Sequence, residues 1–422
     1  MIPVDRGHRE EILALRFTPW IFLVLLFGLL LSVLAFSQAA ASIGIKLDTF
    51  RPLGGSFFSW RSAQRDLAIE LFQKRKKLPD AAKLVRSGHM GLRYTPLSAR
   101  SVWLVGKGLE ARKDFEGARR VMADAERITR RDTAVQLWLA EDAFRRSSIA
   151  GGLAHYDLIM RVEPATQPEI LPRLAAVMVA PEGRRYLQPY IRANNSWFRP
   201  LLIAAVNGLP RAEPAARLLI ERRAKAPAIA ELEPAYAKLV TRLVDEGSVD
   251  VALRLYPLLP NGKPDALGDV SGVTKNGLVT GYPPFIWSLA NDSFGATLVS
   301  VDAKGSGIEF YGSSGTVGMA ASKLVTPGAA SQLRWRVYDR STNLQSAATW
   351  IVTCVAGKAK GAAQTSVNLL DAATPLNKMM AMPLPSDCDV VRLDMRIAGG
   401  IGTNPASLIV GDLELAKAAT AR

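Results

Sequence analysis

The hydrophobic period of this chain changes once, near Leu259, and that change limits the possible folds more than any other feature. From Arg61 to Leu259 apolar residues recur at helical spacing: Leu67, Leu71 and Phe72 share one face, and Val102, Val105 and Leu109 share another. Pro79, Pro96, Pro164, Pro181, Pro210, Pro227 and Pro257 punctuate the pattern, the rhythm of short helices joined by turns. After Leu259 the period becomes two. Phe285, Trp287 and Leu289 alternate in FIWSL, and GIEFYG, SQLRWRVYDR, TWIVTCV, MAMPLP, VVRLDMRI and SLIVGDLEL follow between Gly- and Pro-bearing turns. A side-chain period of 3.6 suits a helix and one of two suits a strand, so the two stretches cannot share one fold class. The sequence therefore predicts a multidomain chain, α then β. A helical domain covers 61–259, a Gly-, Pro-, Asn- and Asp-rich linker covers 260–281, and an antiparallel β-sandwich or jelly roll covers 282–418. With 422 residues the chain exceeds one ordinary core.

The N-terminal stretch sets location. From Phe17 to Ile45, 29 residues carry no charge, and Trp20 to Phe36 is the most apolar part. A helix rising ~1.5 Å per residue crosses a ~30 Å hydrocarbon core with roughly 20 residues. The expectation is a short tail over 1–16, a transmembrane anchor over 17–42 and a connector over 43–60. Ser37-Gln38-Ala39 and Ala39-Ala40-Ala41 fit a small-x-small cleavage site, so a cleaved signal peptide is the alternative. Either way the bulk of the chain is exported; the short tail, with Arg6, Arg9 and Arg16, favours an N-inside anchor. The only two cysteines, Cys354 and Cys388, then read as a disulfide, with two buried thiols the alternative. No CxxC or Cys/His cluster occurs, and no metal or cofactor is expected.

Charge is uneven. Residues 61–259 hold 34 Lys+Arg against 22 Asp+Glu, so 34 − 22 = +12 of the net +15 lies there. Such an excess favours acidic partners, while export and the lack of interleaved aromatics argue against nucleic acid. The same region fits an internal repeat, with a generic helical bundle the alternative. A 34-residue unit starting at Ala99 places Gly106 at its eighth position, with Ala118 and Ala125 at small positions of a second helix. The next unit, from Thr133, places Ala140, Gly152 and Ile159 there, with Pro164 near its end. On these residues, and on KDFEGARRVMADAERI and GSVDVALRLYPLLP, the region resembles a degenerate tetratricopeptide-type α-solenoid; Leu109 and Ala143 replace that family's first-helix tyrosine. The β region resembles a carbohydrate-binding-module type of jelly roll, on PFIWSL, the run of short strands and the closing SLIVGDLEL.

The whole resembles bacterial envelope proteins that join a membrane anchor, a tetratricopeptide-like region and such a jelly roll. That resemblance implies a non-enzymatic scaffold or polymer-binding protein in cell-envelope polysaccharide assembly or export. It would be held in the inner membrane by residues 17–42 as a single-pass protein, with the bulk of the chain periplasmic and an acidic polysaccharide or acidic envelope protein as partner. The alternatives are a glycan-active enzyme with its site in the sandwich and a purely structural protein–protein assembly factor.

The candidate site is a strand face. Arg334, Arg336, Tyr338 and Arg340 alternate with Leu333, Trp335 and Val337; Arg392, Asp394 and Arg396 alternate with Val391, Leu393, Met395 and Ile397. Period two turns the polar set outward. Guanidinium groups beside a phenol ring suit acidic sugars, because arginine pairs carboxylates bidentately. The candidate acidic-ligand residues are thus Arg334, Arg336, Tyr338, Arg340, Arg392 and Arg396, against the plainer reading of a solvated sheet face. Trp287, Trp335 and Trp350 each sit on an apolar alternating face and read as core, with sugar-stacking platforms the alternative. No catalytic residue is singled out. His8, His89 and His155 have no ligand-spaced partners, and Asp292, Asp302 and Glu309 could include a glycosidase-like pair, although acids near turns are common.

Overall fold

The computed structural model describes residues 23–33, 80–274, 277–301 and 306–417. Residues 23–33 are helical, with Leu23, Phe27 and Leu29 exposed. Among the described residues no helix is long and apolar enough to cross a membrane. The remainder of the 17–42 segment, the 1–16 tail and the 43–60 connector lie outside the described residues. The chain forms two compact units, Met1–Val162 and Glu163–Arg422, so the division falls inside the helical region and not at the change of period.

Among the described residues of the first unit from Asp80 onward, five helices follow one another: α1 (Ala81–Tyr94), α2 (Ala99–Ala111), α3 (Phe115–Ile128), α4 (Thr133–Arg145) and α5 (Ile149–Val162). The hairpins α2–α3 and α4–α5 are offset by one constant, since 133 − 99 = 34 and 149 − 115 = 34. Their turns match too: Lys113 (φ 66°) and Ser147 (φ 59°), also 34 apart, take the left-handed conformation that ends a helix sharply. Side chains of Ser98, Asp114 and Asp132 accept amide hydrogen bonds at the starts of α2, α3 and α4. Inside, Leu104, Ala118, Met122 and Ala125 are fully buried. Gly106 lets α2 and α3 approach, because a Cβ there would lie 2.7 Å from Met122 Cε. Burying a side chain such as Met122 contributes roughly 1.5–3 kcal/mol.

The second unit begins with α6 (Gln167–Val177), α7 (Pro181–Leu187), α8 (Phe198–Gly208), α9 (Glu213–Glu221), α10 (Glu233–Asp245) and α11 (Val249–Leu255). Proline in the first turn opens α6, α7, α9 and α10, where a missing N–H costs nothing. The described residues of 260–281 hold only a 3-10 turn (Pro264–Leu267) and two-residue strands, yet they are built into the unit. The Thr326 amide donates to the Leu267 carbonyl (2.7 Å), and the Trp287 indole donates to the carbonyls of Val270 (3.1 Å) and Ser271 (3.0 Å). Tyr236 of α10 and Tyr256 pack against Tyr282 with ring centroids 6.2 Å apart, and Tyr256 meets Phe285 at 4.9 Å. Helices and sandwich thus share a buried aromatic cluster in this unit.

The β region is an antiparallel two-sheet sandwich. A small ribbon of β1 (Val273–Thr274) and β2 (Gly277–Leu278) precedes it. Its strands are β3 (Ser288–Leu289), β4 (Phe294–Ser300), β5 (Ser306–Gly312), β6 (Val317–Val325), β7 (Gln332–Ser341), β8 (Ala347–Gly357), β9 (Ala363–Thr365), β10 (Met379–Pro383), β11 (Cys388–Ala398) and β12 (Ala406–Ala416). One five-stranded sheet has the order β10-β7-β12-β5-β4, the other β3-β6-β11-β8-β9. Trp350 of β8 is fully buried and lies 6.0 Å from Trp287, 5.8 Å from Phe310 and 6.4 Å from Trp335, ring centre to ring centre, so it packs across both sheets. Cys354 and Cys388 form a disulfide between β8 and β11, with Cα atoms 5.7 Å apart. Strict alternation would place the two sulfurs on different faces; an irregularity between Cys388 and Val391 brings them together.

Candidate functional site

The predicted arginine face is divided by the sheet order. Arg334 and Arg336 stand on β7 in one sheet, Arg392 and Arg396 on β11 in the other, so their outward faces lie on opposite sides of the sandwich. They do not form one surface. On β7 the alternation holds as far as Val337: Leu333, Trp335 and Val337 are buried, and Arg334 and Arg336 face outward, half-buried.

At Tyr338 the β7–β12 pairing shifts, with Val337 opposite Val410 but Asp339 opposite Ile409. This bulge puts Arg340 in register with the core residue Leu408, which corrects the expectation that Arg340 shares the outer face. Its guanidinium instead donates to the carbonyls of Thr374 (2.7 Å) and Ala372 (3.0 Å).

The outward arginines already have acidic partners. Arg336 pairs with Asp412 (3.0 Å) and Arg334 with Glu414 (3.5 Å), both acids on β12. The Tyr338 hydroxyl donates to Asp412 (2.8 Å), and burial together with that carboxylate raises its pKa. On β11, Asp394 is 3 % exposed, not solvated as the alternation predicts. Its carboxylate accepts from Ser322 Oγ and Arg392 Nε, both at 2.7 Å, which offsets the cost of burying it. Arg396 is exposed. An acidic ligand at β7 must therefore compete with Asp412 and Glu414.

Two polar clusters escape a reading of the sequence. Asp142 of α4, 2 % exposed, receives Arg119 Nε (2.7 Å) and Nη2 (3.2 Å) from α3 and Arg146 Nε (3.0 Å). Burial alone would raise its pKa, but the hydrogen bonds and charges of Arg119 and Arg146 outweigh burial and hold it below the usual carboxylate range. Arg145 stacks over Phe115 (4.9 Å) and Trp138 (5.5 Å) beside it. The second is Lys323 of β6, wholly buried opposite Leu393, with Nζ donating to the Asp269 carbonyl at 2.5 Å. Burial pushes its amine down to about 8, with the Asp269 carboxylate acting weakly against that. The fragment SKLV gives no signal for this partner, because Asp269 lies 54 residues away.

The remaining candidates are dispersed. His155 Nδ1 lies 2.6 Å from Gln136 Oε1 and 3.8 Å from Glu126, and burial lowers its pKa. Glu309 is on β5, Asp292 lies between β3 and β4, and Asp302 is outside the described residues. Trp287, Trp335 and Trp350 are core. Compared with known proteins, the chain matches no protein-family model and no curated protein.

Proposed function

We propose that this protein is a non-enzymatic scaffold, tethered to the inner membrane by residues 17–42, with its bulk in the periplasm. Its work is to bind an acidic polysaccharide or acidic envelope protein during cell-envelope polysaccharide assembly or export. The observation that carries the reading is the pair of helical hairpins repeated at 34 residues, in a region holding 34 basic against 22 acidic residues. Stacked hairpins of this tetratricopeptide-like kind offer extended surfaces to partners. Arg120, Arg127, Arg130 and Arg131 are exposed along α3 and the turn after it, where a polyanion can reach them. The jelly-roll-like sandwich is a separate module of the second unit. Its strand-face arginines, already paired with Asp412 and Glu414, are secondary contacts. The disulfide supports an oxidising compartment.

The test is binding of the full-length protein to soluble acidic polysaccharide, with dextran as the neutral control, at two ionic strengths. The acidic polymer should bind, more weakly at high salt. Arg120→Glu combined with Arg130→Glu and Arg131→Glu should reduce binding at least as much as Arg334→Ala with Arg336→Ala. Equal binding of dextran, or loss confined to the strand-face variant, contradicts the proposal. The protein–protein assembly reading is favoured if neither polymer binds while an acidic envelope protein co-purifies through the same arginines.

A further inference from the structure

The second unit contains a cleft that neither the strand face nor the hairpin repeat uses. It has a volume of about 480 Å³, within the ~300–1,000 Å³ of small-molecule sites. It lies between the end of α6, the start of α7 and the α8–α9 connection. Its floor and walls are apolar: Val179, Pro181, Leu209, Pro210 and Pro214. Val179 is 58 % exposed, apolar surface that an occupant would cover.

The rim carries Arg184, Arg211, Glu213 and Arg217. Arg184 is spent on structure: it is 5 % exposed, binds Glu221 at 2.8 Å and donates to the carbonyls of Met178 (3.0 Å) and Val179 (3.2 Å). It fixes one wall. Arg211 and Arg217 share one carboxylate, Glu213, at 3.8 and 2.5 Å, and their side chains are 62 % and 43 % exposed. Two cations against one anion leave one positive charge at the mouth of an apolar cleft.

We infer that this cleft binds an amphiphilic anion, an aliphatic carboxylate of medium chain length being the representative. The apolar body displaces water from Val179, Leu209 and the three prolines, and the carboxylate meets the guanidinium groups of Arg211 and Arg217. Arginine suits a carboxylate because its planar fork donates two parallel hydrogen bonds. A sugar fits poorly, since the walls give it little to hydrogen-bond. An extended peptide also fits poorly, since Pro181, Pro210 and Pro214 have no N–H to offer its backbone. The inference is independent of the proposed function.

The test is photoaffinity labelling of the full-length protein in lipid nanodiscs with a diazirine-bearing decanoate, the adducts being mapped by peptide mass spectrometry. Adducts should fall within residues 179–217, and excess unlabelled decanoate should suppress them. Arg211→Ala with Arg217→Ala should lower labelling there about tenfold, the loss expected for a charge-assisted hydrogen bond. Val179→Asp should lower it similarly. Arg211→Ala alone, at a largely exposed position, should show a smaller loss with an unchanged melting curve. The matching diazirine decanol should label the cleft weakly. Labelling elsewhere only, labelling unchanged in the variants, or equal labelling by decanol overturns the inference. Labelling by a photoreactive Leu-Glu peptide without labelling by decanoate overturns it in favour of a protein partner.

Discussion

Replacing Asp142 with asparagine removes one negative charge from the centre of the first unit and leaves its shape almost unchanged. The carboxylate is 2 % exposed and joins α3 to α4 through Arg119, with Arg146 one turn along its own helix. Removing one member of a buried ion pair costs ~3–5 kcal/mol when the partner is left buried. Here the stranded guanidinium groups are 26 % and 49 % exposed and recover some hydration, and asparagine keeps one acceptor, so about 2–3 kcal/mol is expected. At ~4–8 °C per kcal/mol for a unit of this size, the first thermal transition should fall by roughly 10–20 °C. The pH dependence is a second readout. The folded-state pKa of Asp142 is depressed, so its stabilisation is complete above the unfolded value of ~3.9 and is lost as pH falls through the folded value. Calorimetry of Asp142→Asn should show the lower transition and a weaker loss of stability on acidification below ~4. A transition within ~2 °C of wild type, or an unchanged acid profile, would refute the assignment of Asp142 as the charge that locks the hairpins together.

Lys323→Met tests the buried amine. Its folded pKa of about 8 lies below the unfolded ~10.4, so the unfolded chain holds more protons between those values and stability rises with pH across that window, by up to about 3 kcal/mol. Chemical denaturation from pH 7 to 9, below the range where unfolded tyrosines ionise, should show a rise in wild type that is missing in Lys323→Met; parallel lines would place the charge elsewhere. Cys354→Ser with Cys388→Ser opens a link between positions 34 apart and should destabilise the sandwich by about 4 kcal/mol in the chain-entropy model, measured by urea denaturation. Trp350→Ala empties the space between the sheets and should cost roughly 3–5 kcal/mol; a loss below ~1 kcal/mol would mean the sheets are not joined there.

Local pattern made the architecture legible. The change of period near Leu259 separates helices from strands because side-chain direction depends only on near neighbours. The 34-residue offset from Ala99 to Thr133 coincides with two helix starts, and the small residues that marked it, Gly106, Ala118 and Ala140, are buried. Trp335 inward with Arg334 and Arg336 outward follows from alternation on one strand.

What failed is non-local. Nothing in VVRLDMRI shows that β11 belongs to the sheet opposite β7, so six residues that looked like one face were read together. The bulge at Tyr338 depends on Val410 of β12, 410 − 338 = 72 residues on, and it turned Arg340 out of register. Asp394 is buried because Ser322 of β6 and Arg392 satisfy it, and Ser322 lies 72 residues away.

The central claim is that the chain is tethered by residues 17–42 with everything beyond them outside the cytoplasm. Protease treatment of intact spheroplasts, followed by immunoblotting for the sandwich and for the N-terminal tail, tests it most directly. The sandwich should be digested while an N-terminal fragment containing residues 1–42 stays with the membrane and keeps Met1 at or near its end. A sandwich that is degraded only after the membrane is lysed would contradict it.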